Sequence, residues 1–142
     1  MTRRQGVPRT PNHDRHERPS DERVNELFNE ATVFVQTSIH EGFCLPLLEA
    51  MAVGTPVVST DAHGNRDFCR HEENCLIADS DPEAVSRALQ RILADAALRA
   101  RLTSAGLETA ADYAWERRID RLERFLGEVA ATAPRRSAAP RG

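Results

Sequence analysis

Apolar residues along the chain alternate between short runs, the first two of them rich in β-branched residues, and stretches with helical spacing. Three such runs, of four to six residues each, predict strands: Thr32 to Thr37, Pro56 to Thr60 and Cys75 to Ala78. Between the first two, a helical stretch begins near Leu45, has a proline in its first turn and ends at Gly54. A strand, a helix and a strand within about thirty residues form a βαβ unit, and its strands are parallel.

Amphipathic helices flank and follow this unit. Ser20 can cap a first helix that has acidic residues in its first turn and ends near Glu30. After the third strand, Asp81 can cap another helix, with a proline at its start and apolar residues at three- and four-residue spacing. Two more helical stretches follow, around Leu98 to Ala105 and from Trp115 to Val129. The sequence therefore predicts an α/β fold, a partial Rossmann-like parallel sheet of about three strands with flanking and C-terminal helices.

The two ends of the chain differ from this central part. Residues 1–19 are rich in arginine and proline, and residues 131–142 consist largely of alanine, arginine and proline. Segments with so few large apolar residues cannot bury enough surface to offset the entropy lost on ordering. We therefore predict disordered tails at residues 1–19 and 131–142 around one domain at residues 20–130.

The charge pattern argues against a nucleic-acid partner. Residues 24–133 hold ten arginines and eighteen acidic residues, a net charge of −8, which disfavours contact with a polyphosphate backbone. No apolar run approaches the roughly 18 residues that cross a bilayer, and residues 1–19 lack the apolar centre of a signal peptide. We expect a soluble protein located in the cytoplasm.

The cysteine count also favours a location in the cytoplasm. Cys44, Cys69 and Cys75 are odd in number and form no C-x-x-C pair, which favours a reducing compartment over a disulfide framework. His63 and His71 lie near the last two cysteines, so a zinc site of two histidines and two cysteines is an alternative. The spacing does not match that of zinc sites, and we expect no bound metal.

The segment from Ser38 to Asp61 carries the candidate chemistry. Its helix is apolar on nearly every face, which predicts burial under the sheet, and Glu49 lies in the middle of it. An unpaired buried carboxylate is costly, so a group outside the helix should hold Glu49. One interpretation is a tertiary ion pair, for instance with Arg66.

The other interpretation is ligand binding at the start of this helix. The loop at residues 42–45 delivers a helix N-terminus with free backbone N–H groups, which favour phosphate. Glu49 lies about four residues farther on, roughly 6 Å along the axis, and a carboxylate there can accept both hydroxyls of a ribose. Glu41 follows the first strand, at the sheet edge where ligands bind. It is either an acceptor for sugar hydroxyls or a solvated loop acid.

In this setting the sequence resembles a known family. Glu41 and Glu49 form an E-x7-E pattern within EGFCLPLLEAMAVGTPVV, with Ser38 before it and Gly64 after it. Together with the flanking stretches, from about Pro19 to Leu126, the pattern resembles the retaining GT-B glycosyltransferases of group 1, glycosyltransferase family 4. The part resembled is the later half of the C-terminal, donor-binding domain.

The resemblance implies a function and roles for the site residues. Glu49 would bind the donor ribose, and Glu41 would bind the donor sugar hydroxyls at the catalytic centre. Such enzymes move a sugar from a nucleotide diphosphate to an acceptor with retention of anomeric configuration, without a metal or other cofactor. The helix N-terminus would supply positive potential to the leaving phosphate. The loop facing the diphosphate and sugar would comprise Gly42, Phe43, Cys44 and Leu45.

Several positions depart from the family pattern. Cys44 stands where the family commonly has glycine. After the second strand the family often has two glycines and a glutamate, whereas this chain has HGNRD, which leaves the role of Asp67 open. His40 either touches the donor or is solvated.

The resemblance covers only part of a GT-B enzyme. The acceptor-binding domain has no counterpart, nor do the opening strands of the donor domain, which carry the Arg and Lys that pair with the diphosphate. The expected partners are a nucleotide sugar and an acceptor domain supplied by a separate chain, and the resemblance allows peripheral membrane association of the full enzyme, acting on an envelope or capsular glycan. The alternatives are a noncatalytic nucleotide-sugar or protein-interaction module, and an inactive remnant whose sheet edges are exposed.

Overall fold

The computed structural model describes residues 18–132. Along this part of the chain the elements are α1 (Asp21–Glu30), β1 (Phe34–Gln36), α2 (Leu45–Ala52), β2 (Val57–Thr60), β3 (Leu76–Ala78), α3 (Pro82–Ala94), α4 (Ala96–Asp112) and α5 (Trp115–Thr132). Each predicted strand and helix is present. The predicted disordered tails lie almost entirely outside the described residues, and α5 continues past the predicted domain end at residue 130.

The three strands form one parallel sheet in the order β1-β2-β3. Val35 of β1 pairs with Val58, and Ser59 of β2 pairs with Ile77. All four residues of the central strand β2 are buried. The predicted α/β fold with a three-stranded parallel sheet is therefore confirmed. Because the strands are parallel, the segments that follow β1 and β2 leave the sheet at the same edge.

Helices cover both faces of the sheet, because alternate residues of β2 point to opposite sides. Val57 packs with the side chains of α2, including Leu47 and Met51, in one buried cluster. Val58 belongs to a second cluster on the other face, with Leu76, Ile92, Leu98 and Leu102 of β3, α3 and α4. The candidate site is thus carried by a helix and a strand that pack directly against each other.

Helix α4 packs along α2 through a close contact. A Cβ atom added at Gly106 would lie 3.2 Å from Cγ of Met51, which is tighter than most side-chain contacts. Glycine here lets the two helices approach, and α2 is fixed from the side opposite its exposed face.

Side-chain caps fix where the predicted helices begin. The Ser20 hydroxyl accepts a hydrogen bond from the Arg23 backbone N–H at 3.3 Å, and the Asp81 carboxylate accepts one from the Ala84 N–H at 2.8 Å. Asp95, which sequence reasoning did not single out, caps α4 in the same way through the Leu98 N–H at 2.9 Å. These caps satisfy N–H groups that have no partner within the helix.

We expect Asp81→Ala to lower the free energy of unfolding by about 1 kcal/mol, because the first turn of α3 loses its cap. Urea denaturation measures this change. Asp79→Ala is the matched control, since Asp79 is an exposed acid just before the cap and should change stability by less than about 0.5 kcal/mol. Equal losses in the two variants would contradict the assignment of the cap.

Helix α5 differs from the other helices, because none of its residues is buried. Its apolar residues recur at helical spacing, yet Trp115 is 76% exposed and Leu122 is 55% exposed. The predicted amphipathic helix therefore forms, but no described residues cover its apolar stripe. No helix within residues 18–132 combines the length and the apolar character needed to cross a membrane.

Candidate functional site

Glu41 lies just beyond β1, at the carboxyl edge of the sheet, as the sequence predicts. Its backbone N–H donates to the carbonyl of Ala62 at 3.0 Å, which ties the loop after β1 to the loop after β2. The Ser38 hydroxyl donates to Oε1 of Glu41 at 2.7 Å, and Nε2 of Gln36 donates to the same oxygen at 3.3 Å. Glu41 is half-buried, so it is not a freely solvated loop acid.

The loop after β2 is pressed against the loop that carries Glu41. A Cβ atom added at Gly64 would lie 2.6 Å from the carbonyl oxygens of Glu41 and Gly42, closer than real side chains approach. The amide of Asn65 braces the turn, because it accepts from the Ala62 N–H at 3.2 Å and donates to the Thr60 carbonyl at 2.8 Å. Sequence reasoning noted Gly64 but missed Asn65, for which the only available signal was its place in a turn.

Helix α2 begins at an unusual residue. Cys44 is its N-cap and adopts a left-handed conformation with φ 66°, which glycine adopts without strain and other residues rarely do. The resemblance implies a glycine at this position, and the left-handed conformation gives a physical reason for one. Cys44 is buried, and its sulfur accepts from Nε2 of Gln36 at 3.6 Å. Burial, together with the nearby Glu41 carboxylate, raises the pKa of the Cys44 thiol, so the thiol is neutral at pH 7.

The N-terminus of α2 is open for a ligand. Within residues 18–132, no group accepts a hydrogen bond from the backbone N–H of Phe43, Cys44 or Leu45. Because Cys44 supplies no side-chain cap, these donors and the positive end of the helix dipole are left without a partner among the described residues. Phe43 is 37% exposed and Leu45 is 53% exposed, so the described residues do not cover this end of the helix.

Glu49 is exposed, and the prediction that it is buried is wrong. Helix α2 buries Leu47, Leu48, Ala50 and Met51 but leaves its opposite face in solvent, including Glu49. The carboxylate therefore needs no buried counter-charge. Glu49 borders an open groove of about 320 Å³ between α1 and α2, where Val24 and Phe28 face Ala52 and Val53.

The ion pair suggested between Glu49 and Arg66 is also absent. Nε and Nη2 of Arg66 each donate to one oxygen of Asp61 at 2.8 Å, and the His63 N–H donates to Oδ1 at 3.3 Å. The Arg66 guanidinium and the His63 N–H lower the pKa of Asp61 to about 2. Arg66 therefore closes the loop after β2 and leaves Glu49 unpaired among the described residues.

We expect Arg66→Gln to raise the pKa of Asp61 from about 2 toward 3.8, because the bidentate guanidinium is the main cause of the low pKa. A carboxyl with a depressed pKa stabilises the folded state above the unfolded pKa of about 4 and loses that contribution as the pH falls toward 2. Titration of the side-chain carboxyl by NMR measures the shift. An unchanged pKa in the variant would contradict the pairing.

An aromatic cluster links the loop before α2 to the end of α4. The Phe43 ring lies 5.5 Å from the Phe68 ring and 5.9 Å from the Tyr113 ring, and the Arg118 guanidinium lies 3.8 Å from the centre of the Tyr113 ring. Sequence reasoning did not find this cluster, because its members are far apart in the chain. Its contacts restrain the Phe43 side chain next to the open N–H groups.

The roles of two further candidates, His40 and Asp67, are not decided by their contacts. His40 is exposed and its ring lies 5.3 Å from that of His63. The Asp67 backbone carbonyl accepts from the Tyr113 hydroxyl at 3.1 Å, while its side chain is exposed, so its role stays open.

The described residues assemble no zinc site. Nδ1 of His71 accepts from the Ile77 backbone N–H at 2.9 Å, and all three cysteines are free and buried. A hydrogen bond with Cys75 and burial both raise the pKa of the Cys69 thiol, which opposes the thiolate form that zinc requires. Residues 18–132 bring together no three His, Cys, Asp or Glu side chains in an arrangement suited to a metal ion.

Comparison with known proteins places these features in a family. The sequence profile described as "Glycosyl transferases group 1" matches residues 11–109. The chain is 47% identical over 78 residues to the lipopolysaccharide core biosynthesis glycosyltransferase LpsE of Rhizobium meliloti, a match that covers 54% of this chain and 23% of that protein. The family match thus includes the E-x7-E segment and both loops at the sheet edge.

Solved structures share the fold. Sucrose-phosphate synthase from Thermosynechococcus elongatus superposes with a TM-score of 0.68 at 33% identity, over 75% of this chain and 27% of that one. Anabaena HepE, solved in complex with UDP-glucose, gives a TM-score of 0.63 at 19% identity, over 78% of this chain and 30% of that one, a likeness of fold alone. The chain thus spans less than a third of each of these proteins. It has part of the GT-B fold and belongs to the group 1 glycosyltransferases.

Proposed function

We propose that this chain is the donor-binding part of a retaining glycosyltransferase and that it binds a nucleotide-diphosphate sugar at the start of α2. Glu49 accepts the ribose hydroxyls, and Glu41 accepts hydroxyls of the sugar. The diphosphate receives hydrogen bonds from the backbone N–H groups of Phe43, Cys44 and Leu45. One observation carries the proposal: a carboxylate held in place at the sheet edge lies in the loop that leads to an uncapped, solvent-open helix N-terminus.

The geometry suits breakage of the bond between the sugar and the diphosphate. As this bond breaks, negative charge grows on the leaving phosphate, and fixed N–H dipoles stabilise it without reorganisation. The acceptor hydroxyl forms the new bond at the same anomeric carbon, and its proton passes to an oxygen of the departing diphosphate. We propose that this occurs with retention of configuration and without a metal, since the helix N-terminus supplies positive potential at the phosphate.

Two surfaces of the described residues are suited to contact with other parts of an enzyme. The outer edge of β1 pairs with no described strand, and the apolar stripe of α5 is uncovered within residues 18–132. Large exposed apolar stripes mark interaction sites. We propose that the acceptor domain and the opening strands of the donor domain, supplied by a separate chain, cover these two surfaces.

The setting of the full enzyme follows from the same proposal. Its donor would be a cytoplasmic nucleotide sugar, and three buried free thiols are compatible with that reducing compartment. Its acceptor would be an envelope or capsular glycan, reached by peripheral association with a membrane. We propose no nucleic-acid partner, because the folded part is strongly acidic.

A second candidate function is a noncatalytic module that binds nucleotide sugars without turnover. The observation that favours it is that the features assigned to donor binding, Glu41 and the start of α2, lie together on one loop, and binding alone requires nothing further. The two candidates differ in one readout. Transfer of sugar after addition of an acceptor domain indicates the enzyme, whereas binding with no turnover indicates the module.

Calorimetric titration with UDP-glucose, GDP-mannose and ADP-glucose tests the proposal. We expect at least one of them to bind, and to raise the melting temperature at high ligand concentration, because a ligand present at 100 times its Kd adds about 2.7 kcal/mol of stability. The corresponding free nucleoside should bind more weakly, since it lacks the diphosphate. If no sugar nucleotide binds, the proposed function is wrong.

A further inference from the structure

The two hydrogen bonds to Glu41 end on the same carboxylate oxygen. Ser38 Oγ lies 2.7 Å from Oε1 and Gln36 Nε2 lies 3.3 Å from it. Among residues 18–132, no donor contacts Oε2. The carboxylate therefore has one oxygen used internally and one oxygen left with its full capacity to accept hydrogen bonds.

Ser38 is itself held by the neighbouring strand. Its backbone carbonyl accepts a hydrogen bond from the hydroxyl of Thr60 at 2.6 Å, and Thr60 is buried in β2. The Glu41 N–H is bound to Ala62 just after the same strand. The backbones of Ser38 and Glu41 are thus held by β2 and by the loop directly after it. When the Glu41 carboxylate rotates, neither backbone can shift to keep the hydrogen bond from Ser38, so that bond breaks.

Gln36 holds the carboxylate from the strand β1. Its Nε2 reaches Ser38 Oγ at 3.4 Å, Glu41 Oε1 at 3.3 Å and Cys44 Sγ at 3.6 Å, so all three acceptors surround one amide nitrogen. Its Oε1 is buried without a partner, which costs free energy. The reverse amide orientation would place that oxygen against the Glu41 carboxylate, so the charge of Glu41 selects the observed one.

We propose that Ser38, assisted by Gln36, is a positioning residue that aims Oε2 of Glu41 at the donor sugar. This inference rests on the proposed function and adds the residues that set affinity for the sugar part of the donor. Neither side chain needs to touch the donor. A carboxylate that is fixed before binding loses less conformational freedom when it accepts the sugar hydroxyls.

The proposal predicts different effects on two ligands, a sugar nucleotide and its nucleoside diphosphate. A nucleoside diphosphate contacts Glu49 and the N–H groups of α2 but has no sugar for Glu41 to bind. Loss of Ser38 should therefore weaken a sugar nucleotide and leave the matching nucleoside diphosphate unchanged. A purely structural role for Ser38 would weaken both ligands alike, because the loop that carries Glu41 continues directly into the diphosphate-binding N–H groups.

Calorimetry on the full chain tests this inference with Ser38→Ala and Ser38→Thr, using whichever sugar nucleotide binds the unaltered chain together with its nucleoside diphosphate. The measured quantity is the ratio of the affinity for the sugar nucleotide to the affinity for its nucleoside diphosphate. We expect Ser38→Ala to lower this affinity ratio roughly five- to tenfold. Ser38→Thr keeps the hydroxyl and should keep the ratio close to that of the unaltered chain. If Ser38→Ala does not fold, Gln36→Met removes the second donor and should shift the same ratio in the same direction.

The possible outcomes are distinct. A ratio that stays unchanged in Ser38→Ala, or in Gln36→Met if that variant replaces it, overturns the inference and leaves the proposed function standing, because both ligands still bind the unaltered chain. A ratio that falls equally in Ser38→Thr also overturns it, since the hydroxyl is then irrelevant. Failure of the unaltered chain to bind any sugar nucleotide contradicts the proposed function itself.

Discussion

Glu49→Ala is expected to weaken binding of a nucleoside diphosphate roughly 10- to 100-fold while leaving the fold intact. A carboxylate that accepts ribose hydroxyls contributes charge-assisted hydrogen bonds, each worth about 1.5 to 3 kcal/mol. Glu49 is exposed, and it has no ion pair or hydrogen bond with another side chain in the described part of the chain, so its removal breaks no contact that supports the fold. Alanine is also a good residue for a helix interior.

Thermal shift with the nucleoside diphosphate measures this effect. Glu108→Ala is the matched control, because Glu108 is likewise an exposed glutamate inside a helix, on α4. We expect the ligand to protect the control as it protects the unaltered chain and to give little protection to Glu49→Ala. Equal protection of the two variants would remove the role assigned to Glu49.

Gly64→Ala is expected to have the second large effect, on both stability and donor binding. The added methyl would lie 2.6 Å from backbone atoms of Glu41 and Gly42, and backbone cannot move aside as a flexible side chain can. Forcing an atom into such a contact costs about 1 to 3 kcal/mol. The loop would shift, and Glu41 would lose its hydrogen bonds to Ser38 and Ala62, so binding of the sugar nucleotide should be lost.

Urea denaturation and calorimetry together test this expectation. Gly127→Ala in α5 is the control, since a Cβ atom there meets nothing within 4 Å and alanine favours a helix by about 1 kcal/mol over glycine. We expect the control to bind the sugar nucleotide normally and to be no less stable than the unaltered chain. Normal stability and binding in Gly64→Ala would show that the two loops are not held against each other.

The features predicted correctly from sequence are those determined by local pattern. The short apolar runs became β1, β2 and β3, and the caps Ser20 and Asp81 start the helices that they were expected to start. Each depends on residues within a few positions of one another. The parallel direction of the strands followed as well, because a βαβ connection brings its two strands into the sheet in the same direction.

The exposure of Glu49 could not be predicted, because the apolar pattern does not say what covers a helix. Leu45 and Ala52 share the exposed face with Glu49, and their apolar character made α2 look buried on all sides. The stripe of α5 is ambiguous for the same reason. Apolar residues that another part of an enzyme would cover resemble, in sequence, apolar residues that the chain covers itself.

The hydrogen bonds that shape the site were also out of reach of the sequence. Asn65 braces the turn after β2, and Gln36 and Ser38 converge on one oxygen of Glu41, through contacts that have no periodicity. The left-handed Cys44 could be noticed only as a departure from glycine. Side-chain networks of this kind depend on where the β2 loop meets the β1 loop, which only the folded backbone determines.

Backbone amide chemical shifts on addition of a nucleoside diphosphate test the central claim most directly. We predict that the largest changes fall on the N–H groups of Phe43, Cys44 and Leu45, because these donors are unpartnered within residues 18–132 at the start of α2. Saturable shifts confined to those amides and to the region around Glu49 would support the donor site. Binding that shifts other amides and leaves residues 43–45 unchanged would contradict it.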